Sequence, residues 1–574
     1  MTSFFSRHCV SLLLIFVFSI VSTYKLFSPQ FYTSHDGEGH VIRMEEFHES
    51  FMDGQFPVRI AKRINYGLGY PFFTFNYPLV YYTAEVFHLS GLSFVDSFKA
   101  LMILSIIVSA TGMYLFASLF FNKTASLFSS LLYIIAPYRF LNMYVRGNVA
   151  EQWGLALLPF AFFFAEYSIR KKKFSIIPLS LILSLLILSH NITSLIGISL
   201  VTLYAIWRKY SSNEVRSLIR VNREVRSRIL RDRTIINYVG SIVVALLLTS
   251  FFWLPVVIEA PQTKLSELSY DYRDFFPTVQ EIVYSPWGFG PWKPGSIPGK
   301  MSPQIGVVHL LMGLCAAGII AVKIVFKKKI QLSDQMTIVF LLIAIASAFL
   351  ALPYSRFFWD HMPLLSSVQI PWRFVGYIVL GLSLCGGYII NSINRNTLKY
   401  GLFTFLIALL VYANRNHLRV NQYVDYQSPF SENKVIAMST TSKDEHMPKK
   451  APRIFEVPDQ DGDIFPELAG TSTRIIWQSN YHMFNLDLES SAEFRDNTSY
   501  YPGWIAKIDG KDTAIQYEED KFYRLRVSVP DGMHTVEFFL TEPWYRKLAN
   551  ITSVFTIIGL VSISVWERKK YSFS

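Results

Sequence analysis

The run His35-Asp36-Gly37-Glu38-Gly39-His40 packs two carboxylates and two imidazoles into six residues. A carboxylate so placed can take a proton from a hydroxyl as a general base, or share a hard divalent cation with imidazole. Asp36 is the candidate base. Asp36, Glu38 and His40, with His35 beside them, are the candidate metal ligands, although their spacing is not a closed ligand set. An ordinary helix N-cap is the competing reading of Asp36. Downstream, Val41, Met44, Phe47 and Phe51 recur at helical spacing, Glu45, Glu46 and Glu49 take another face, and Gly54 ends the helix. Asp36 then lies at a helix N-terminus, where the backbone dipole favours its ionised form. Gly37 and Gly39 allow close approach of a ligand.

Other residues ask for an explanation by where they fall. Asn65-Tyr66-Gly67-Leu68-Gly69-Tyr70-Pro71 and the aromatics up to Tyr82 suit sugar rings, and equally a membrane-interface belt. Arg139, Arg146, Arg356 and Arg373 fall in short outer connections, where arginine is disfavoured. Guanidinium binds phosphate in a bidentate fork, so these arginines could clamp a lipid phosphate. Glu151, close behind Arg146, offers the alternative of a structural ion pair. His190-Asn191 separates two apolar blocks, as a membrane-depth functional group or as a tight helical turn. Glu259, after Trp253-Leu254-Pro255, marks a helix exit.

The elements that position these residues are membrane helices. The chain has 574 residues, 51% hydrophobic and only 17% charged, with mean hydropathy +0.29. Its net charge of +12 sits in short runs between apolar blocks, the positive-inside pattern, which argues against nucleic acid as partner. About twelve blocks reach spanning length: 9–27, 100–121, 125–140, 150–169, 174–189, 192–207, 235–258, 305–326, 336–352, 372–391, 400–414 and 548–565. With both termini cytoplasmic, every inner loop is basic, from Lys123 through Arg170-Lys171-Lys172-Lys173 and Lys327-Lys328-Lys329 to Arg568-Lys569-Lys570. Moving the count by one helix breaks the agreement. The stretch 208–234 reads as a basic amphipathic helix on the inner leaflet. Cys9, Cys315 and Cys385 lie inside apolar blocks and read as small buried hydrophobes. The first block reads as a retained anchor, since no small-residue cleavage site precedes Tyr24-Lys25.

The fold class expected is therefore mainly α, a polytopic cell-membrane protein with a small extracytoplasmic β-sandwich. Residues 1–414 form the membrane module, with outer loops 28–99 and 259–304. Residues 415–547 form the β-rich domain, and 548–574 the final helix and basic tail. Alternation in Tyr523–Val529, a turn at Pro530-Asp531-Gly532 and renewed alternation in His534–Phe538 read as a β-hairpin, and Ile508-Asp509-Gly510-Lys511 reads as a second turn.

Asp36 with His40-Val41-Ile42-Arg43, then Gly54-Gln55-Phe56-Pro57-Val58-Arg59, Gly67-Leu68-Gly69-Tyr70-Pro71, Arg146-Gly147-Asn148-Val149-Ala150-Glu151 and His190-Asn191 resemble bacterial membrane proteins labelled 6-pyruvoyl-tetrahydropterin synthase-related. Tyr500-Tyr501-Pro502-Gly503-Trp504 and Asp509-Gly510-Lys511 resemble the outer domain of YfhO-type membrane proteins. The resemblance implies a GT-C-like architecture: a catalytic acid in the first outer loop, here Asp36, and a polyprenyl-phosphate sugar as donor. The paired acid of many such enzymes is here Asp36-Gly37-Glu38. By the same resemblance His40, Arg43, Arg59, Tyr70, Arg139, Arg146, Glu151, His190 and Arg373 become substrate-binding candidates. No zinc-binding histidine set on a soluble fold supports the pterin-synthase label. The expected activity is transfer of a sugar to an envelope glycan, lipid or protein on the outer face. A flippase for lipid-linked saccharides and a non-catalytic scaffold are the rival classes.

Overall fold

The computed structural model describes residues 2–170, 176–211, 233–268, 271–293, 295, 297–430, 444–455 and 462–572. All twelve apolar blocks fall on helices. Among the described residues, seven helices are individually long and apolar enough to cross a membrane, and nine spans result if each of two bent pairs counts as one. His8–Ser22 and Ile176–Ser189 are apolar but shorter. The chain is a multi-pass membrane protein, mainly helical, with β-sheet near its C-terminal end. Most of the stretch 208–234, from 212 to 232, lies outside the described residues.

Two compact units divide the chain. The first comprises Met1–Glu38, Val95–Ile242 and Tyr270–Tyr426. Its central helix, Val375–Asn391, is buried from Val375 to Ile390. Small residues let neighbours approach it closely: a β-carbon at Gly381 would strike the Phe340 carbonyl, and one at Gly387 the Ser129 hydroxyl. The pair Lys123–Ile134 and Pro137–Arg146 bends by 46°, because Pro137 removes a backbone donor and its ring crowds the preceding turn. Beyond the bend the chain widens into a π-helical turn, Leu141–Arg146, which ends at Gly147 with φ +64°. A two-stranded ribbon, β1 (Phe31–Tyr32) against β2 (Tyr423–Val424), steadies the approach to Asp36.

The second unit comprises Gly39–Phe94, Val243–Ser269 and Gln427–Ser574. Its strands are β3 (Gly462–Phe465), β4 (Gly470–Trp477), β5 (Tyr481–Leu488), β6 (Ala492–Ser499), β7 (Trp504–Ile508), β8 (Lys511–Thr513), β9 (Arg524–Val529) and β10 (Gly532–Leu540). They form two antiparallel sheets, β4-β5-β10-β7-β8 and β3-β6-β9. Phe484, Leu486, Phe494, Val527, Val536 and Phe538 fill the core, joined by Ile60 and Phe75 from the segment after Asp36. Trp544–Ser572 closes the chain as a helix.

Two expectations need correction here. The sequence turn at Pro530-Asp531-Gly532 reverses the chain, but β9 and β10 do not pair. β9 pairs with β6, and β10 with β5 and β7, so the turn carries the chain from one sheet to the other. Alternation follows from one buried face per strand and looks the same whether the next strand is a neighbour or lies across the core. By contrast Ile508↔Lys511 is a true hairpin, with Asp509 at φ 50° and Gly510 at φ 77°, as a type I′ turn demands. The second correction concerns the helix after Asp36. It runs Gly37–Met52 and buries Val41, Met44 and Phe47, but Glu45 and Glu46 are buried as well. Arg63 donates to both Glu46 oxygens, at 2.6 Å from Nε and 2.8 Å from its backbone N–H, and Ser428 donates to Glu45. Burial still raises the Glu46 pKa, against the pull of Arg63.

Candidate functional site

Within the first unit, the backbone brings the Asp36 motif onto the Arg146 motif. The Asp36 N–H donates to the Arg146 carbonyl at 2.8 Å, and the His35 N–H to the Val145 carbonyl at 3.0 Å. These carbonyls lie at the end of the π-helical turn, where intrahelical donors run out. Gly147 makes the contact possible. A β-carbon there would stand 2.5 Å from Ser34 Oγ and 2.7 Å from the Gly37 nitrogen, and its positive φ suits glycine. The Asp36 carboxylate is half-buried and acts electrostatically on the Arg146 guanidinium.

Glu151 is the hub beneath this contact. Its backbone N–H donates to Asn148 Oδ1 at 2.9 Å, which fixes the first turn of Val149–Arg170. The buried Glu151 carboxylate accepts from Tyr138 Oη at 2.5 Å and Asn142 Nδ2 at 3.2 Å on one oxygen. Its other oxygen takes Arg146 Nη1 at 2.7 Å and lies 3.5 Å from Arg373 Nε. Two guanidinium groups thus share one carboxylate, leaving an excess positive charge that Asp36 faces. Arg146 Nη1 also donates to Asn142 Oδ1 at 2.5 Å, and Arg373 Nη1 to the Val368 carbonyl at 2.8 Å.

The Trp372 ring lies 4.8 Å from the Arg146 guanidinium, with Trp292 at 6.3 Å behind it and Lys300 Nζ 4.6 Å from the Trp292 ring. Aromatic faces between cations make a low-dielectric wall that strengthens charge interactions inside it. The loop bearing Trp292 is tied down by Glu281 to Lys300 and by a contact of 2.7 Å between His35 Nε2 and the Phe289 carbonyl. His190 caps the helix Asn191–Tyr210: its Nδ1 accepts from the Thr193 N–H at 3.2 Å and lies 2.8 Å from Thr193 Oγ1. Its ring is buried and within electrostatic reach of Glu151, Arg146 and Arg373.

Of the residues singled out in the sequence, Asp36, Arg146, Glu151, His190 and Arg373 converge here. Arg139 is buried elsewhere in the unit, donating to the Ser109 hydroxyl and, at 3.4 Å, to the Gln152 carbonyl. Glu38 turns back to accept from the Ser34 N–H at 3.3 Å, and burial raises its pKa. In the second unit, His40 Nδ1 meets Tyr81 Oη at 3.1 Å, the Arg43 guanidinium lies 4.8 Å from the Phe72 ring, and Tyr70 Oη accepts from the His446 N–H at 3.0 Å. Arg59 bonds Glu542 at 3.1 Å, the Phe251 carbonyl at 3.1 Å and Asn550 at 3.3 Å. Tyr138, Asn142, Asn148 and Trp372 escaped the sequence reading. The Asn148-x-x-Glu151 spacing, a capping signature, was the available signal for one of them. Among the described residues, no group of three or more His, Cys, Asp or Glu side chains could hold a metal ion. Asp36, Glu38 and His40 do not form a ligand set, and no step below passes through a metal.

Also in the first unit, an apolar cavity of about 580 Å³ lies between Asn191–Tyr210 and Leu332–Ala351. Leu200, Leu203, Ile343, Ala346, Val368 and Phe374 are among its walls. Its lining from Leu195 to Trp207 spans about 18 Å of helix. Val368, whose carbonyl holds Arg373, joins the cavity to the charged cluster.

No protein-family model and no curated protein matches the chain. Solved structures do superpose. The arabinofuranosyltransferase AftD from Mycobacteria gives a TM-score of 0.46 at 12% identity, over 72% of this chain and 27% of that one. An oligosaccharyltransferase from Archaeoglobus fulgidus gives 0.43 at 12%, over 72% and 55%. ArnT from Cupriavidus metallidurans, bound to undecaprenyl phosphate, gives 0.32 at 14%, over 66% and 77%. The chain thus spans about a quarter of AftD and just over half of the oligosaccharyltransferase. All of these likenesses lie below a TM-score of 0.5, so the chemistry is read from this chain's own side chains.

Proposed function

We propose that this protein is an integral-membrane glycosyltransferase of GT-C-like architecture that moves a sugar from a polyprenyl-phosphate carrier to an envelope acceptor at the outer face. The observation that carries the reading is the backbone contact that holds Asp36 against Arg146, with Arg146 and Arg373 sharing Glu151. In the proposed step the acceptor hydroxyl gives its proton to Asp36 as its oxygen bonds to the anomeric carbon. The carbon–oxygen bond to phosphate breaks, the electron pair stays on the phosphate, and the configuration inverts. The leaving phosphate gains a negative charge as Asp36 loses one. Arg146 and Arg373, held in place by Glu151, supply the fixed positive charge where it develops. The apolar cavity behind Val368 is suited to the carrier's isoprenoid chain. The resemblance to the 6-pyruvoyl-tetrahydropterin synthase-related and YfhO-type proteins fits a membrane enzyme of this kind, with both termini inside and the β-sheets outside.

The test is turnover of purified protein with a panel of polyprenyl-phosphate sugars and candidate acceptors, wild type against Asp36→Asn. We expect release of polyprenyl phosphate to fall by about a hundred- to ten-thousand-fold, the usual share of general-base catalysis, with melting unchanged. Full activity in the variant sinks the mechanism. Binding without turnover in both proteins moves the weight to a lipid-saccharide transporter.

A further inference from the structure

The Thr193 backbone N–H donates to His190 Nδ1 at 3.2 Å, and Thr193 Oγ1 lies 2.8 Å from the same atom. A nitrogen that accepts from a backbone N–H carries a lone pair and no proton. The ring is therefore neutral, and its single proton sits on Nε2. The cap thus sets the tautomer of the ring. Charged groups reach that ring from three elements: Arg146 at the end of the π-helical turn, Glu151 on Val149–Arg170, and Arg373 on the Pro371–Phe374 turn. Tyr377, one helical turn past Arg373, bonds to Thr193 and closes the same corner. An imidazolium here would add a third cation beside two guanidiniums. A neutral imidazole adds a directed donor without adding charge.

We propose that His190 is a phosphate-binding residue of this site, its Nε2–H donating to a non-bridging oxygen of the carrier phosphate while the helix cap holds the ring neutral. This rests on the glycosyl-transfer reading above. It gives the site two kinds of ligand for one anion: guanidiniums for the charge and a neutral donor for its orientation. The neutral donor does not change with pH in the range where a free histidine titrates, so the phosphate grip does not weaken at neutral pH.

Two measurements test it. The first uses ¹⁵N-histidine-labelled full-length protein in detergent, with the His190 signal identified by its loss in His190→Asn. The expected spectrum shows the Nε2–H tautomer, unchanged between about pH 5.5 and 8.5. An Nδ1–H tautomer, or titration within that range, overturns the proposal. The second is binding of undecaprenyl phosphate to wild type, His190→Asn, His190→Asp and His190→Ala. Asn and Asp both cap helices well, but only Asn also carries a donor. The expected order has Asn within about three-fold of wild type and Asp and Ala at least ten-fold weaker, the scale of one hydrogen bond to a charged group. Because Asp adds a charge, His190→Ser serves as a neutral capping control and should also weaken. Equal binding by all variants, or loss in Ala alone, makes His190 a cap only and overturns the proposal. Failure of wild type to bind removes the phosphate role together with the transfer reading. A confirmed tautomer would in that case separate the failed reading from the cap geometry.

Discussion

Each unit contains a buried carboxylate that holds arginine, and the two are built differently. In the second unit Glu259 takes Arg546 through both its oxygens, at 2.6 Å and 2.8 Å, and Tyr501 donates to the same carboxylate. One guanidinium meets one carboxylate in a closed fork, and the charge is balanced inside the pair. In the first unit Glu151 serves Arg146 and Arg373 together, one at 2.7 Å and the other at 3.5 Å. That arrangement leaves positive charge over and turns it toward a half-buried aspartate. A balanced bidentate pair fixes helices. An unbalanced one, beside a group that can accept a proton, is organised for a ligand that brings its own negative charge.

The largest effect that sharpens this contrast is the loss of Asp36, already described. Next comes Glu259→Gln, which leaves Arg546 buried without its carboxylate. It should destabilise the protein by about 3–5 kcal/mol, read by thermal or denaturant unfolding, with the activity of the folded fraction unchanged. A loss of specific activity in correctly folded protein would break the assignment of Glu259 as purely structural. Gly147→Ala should come third. The strain of a left-handed alanine costs about 1 kcal/mol, and its β-carbon must push Ser34 and Gly37 away, so turnover should fall further than stability. If melting and activity fall in proportion, the Asp36–Arg146 contact is a fold contact only. Arg373→Gln should be milder. It removes the looser of the two guanidiniums, so binding of a polyprenyl phosphate should weaken by about ten-fold, or 1.4 kcal/mol, with little change in melting. An equal loss of stability would make Arg373 a counterpart of Arg546.

The smallest effect lies in the β-sheets. His534 Nδ1 lies 2.7 Å from Asp509 Oδ2, and that hydrogen bond raises the His534 pKa while lowering that of Asp509. A raised histidine contributes stability that is full below its unfolded value of about 6.5 and is lost as pH rises through the folded value. The lowered aspartate contributes above its unfolded value of about 3.9 and loses that contribution as pH falls through its folded one. The stabilisation should therefore peak between the two, near pH 5. His534→Asn should reduce the melting temperature more at pH 5 than at pH 8.5. Both partners face solvent, so the difference is small.

The membrane helices were legible because apolar length is a property of consecutive residues. So was the Arg146…Glu151 pair, whose members are five residues apart and joined by one turn. Arg373 was visible as an arginine in an unfavoured place, but its partner was not, because more than two hundred residues separate it from Glu151. Pairing of β9 with β6 failed for the same reason: a strand's pattern reports its buried face and not its neighbour. Glu45 and Glu46 were read as a solvent face because charged residues are seldom fully buried. Arg63, which covers Glu46, comes seventeen residues later on another segment. Arg139 and Arg146 looked equivalent by loop position, and only packing distinguished the one against Ser109 from the one against Glu151.

The π-helical turn at Leu141–Arg146 carries a consequence for how this site tolerates change in chain length. A wide turn holds one residue more than an α turn of the same height. Deleting any single residue there would let the segment wind back to regular α-helix at little energetic cost. It would also rotate everything beyond it by about 100°. Arg146 would swing off Glu151, and the carbonyls that hold His35 and Asp36 would turn away with it. Substitutions in this turn are graded in their effects, but a change of length is all-or-none. The spacing between Pro137 and Gly147 is thus a fixed ruler, and relatives that share the chemistry should share the count.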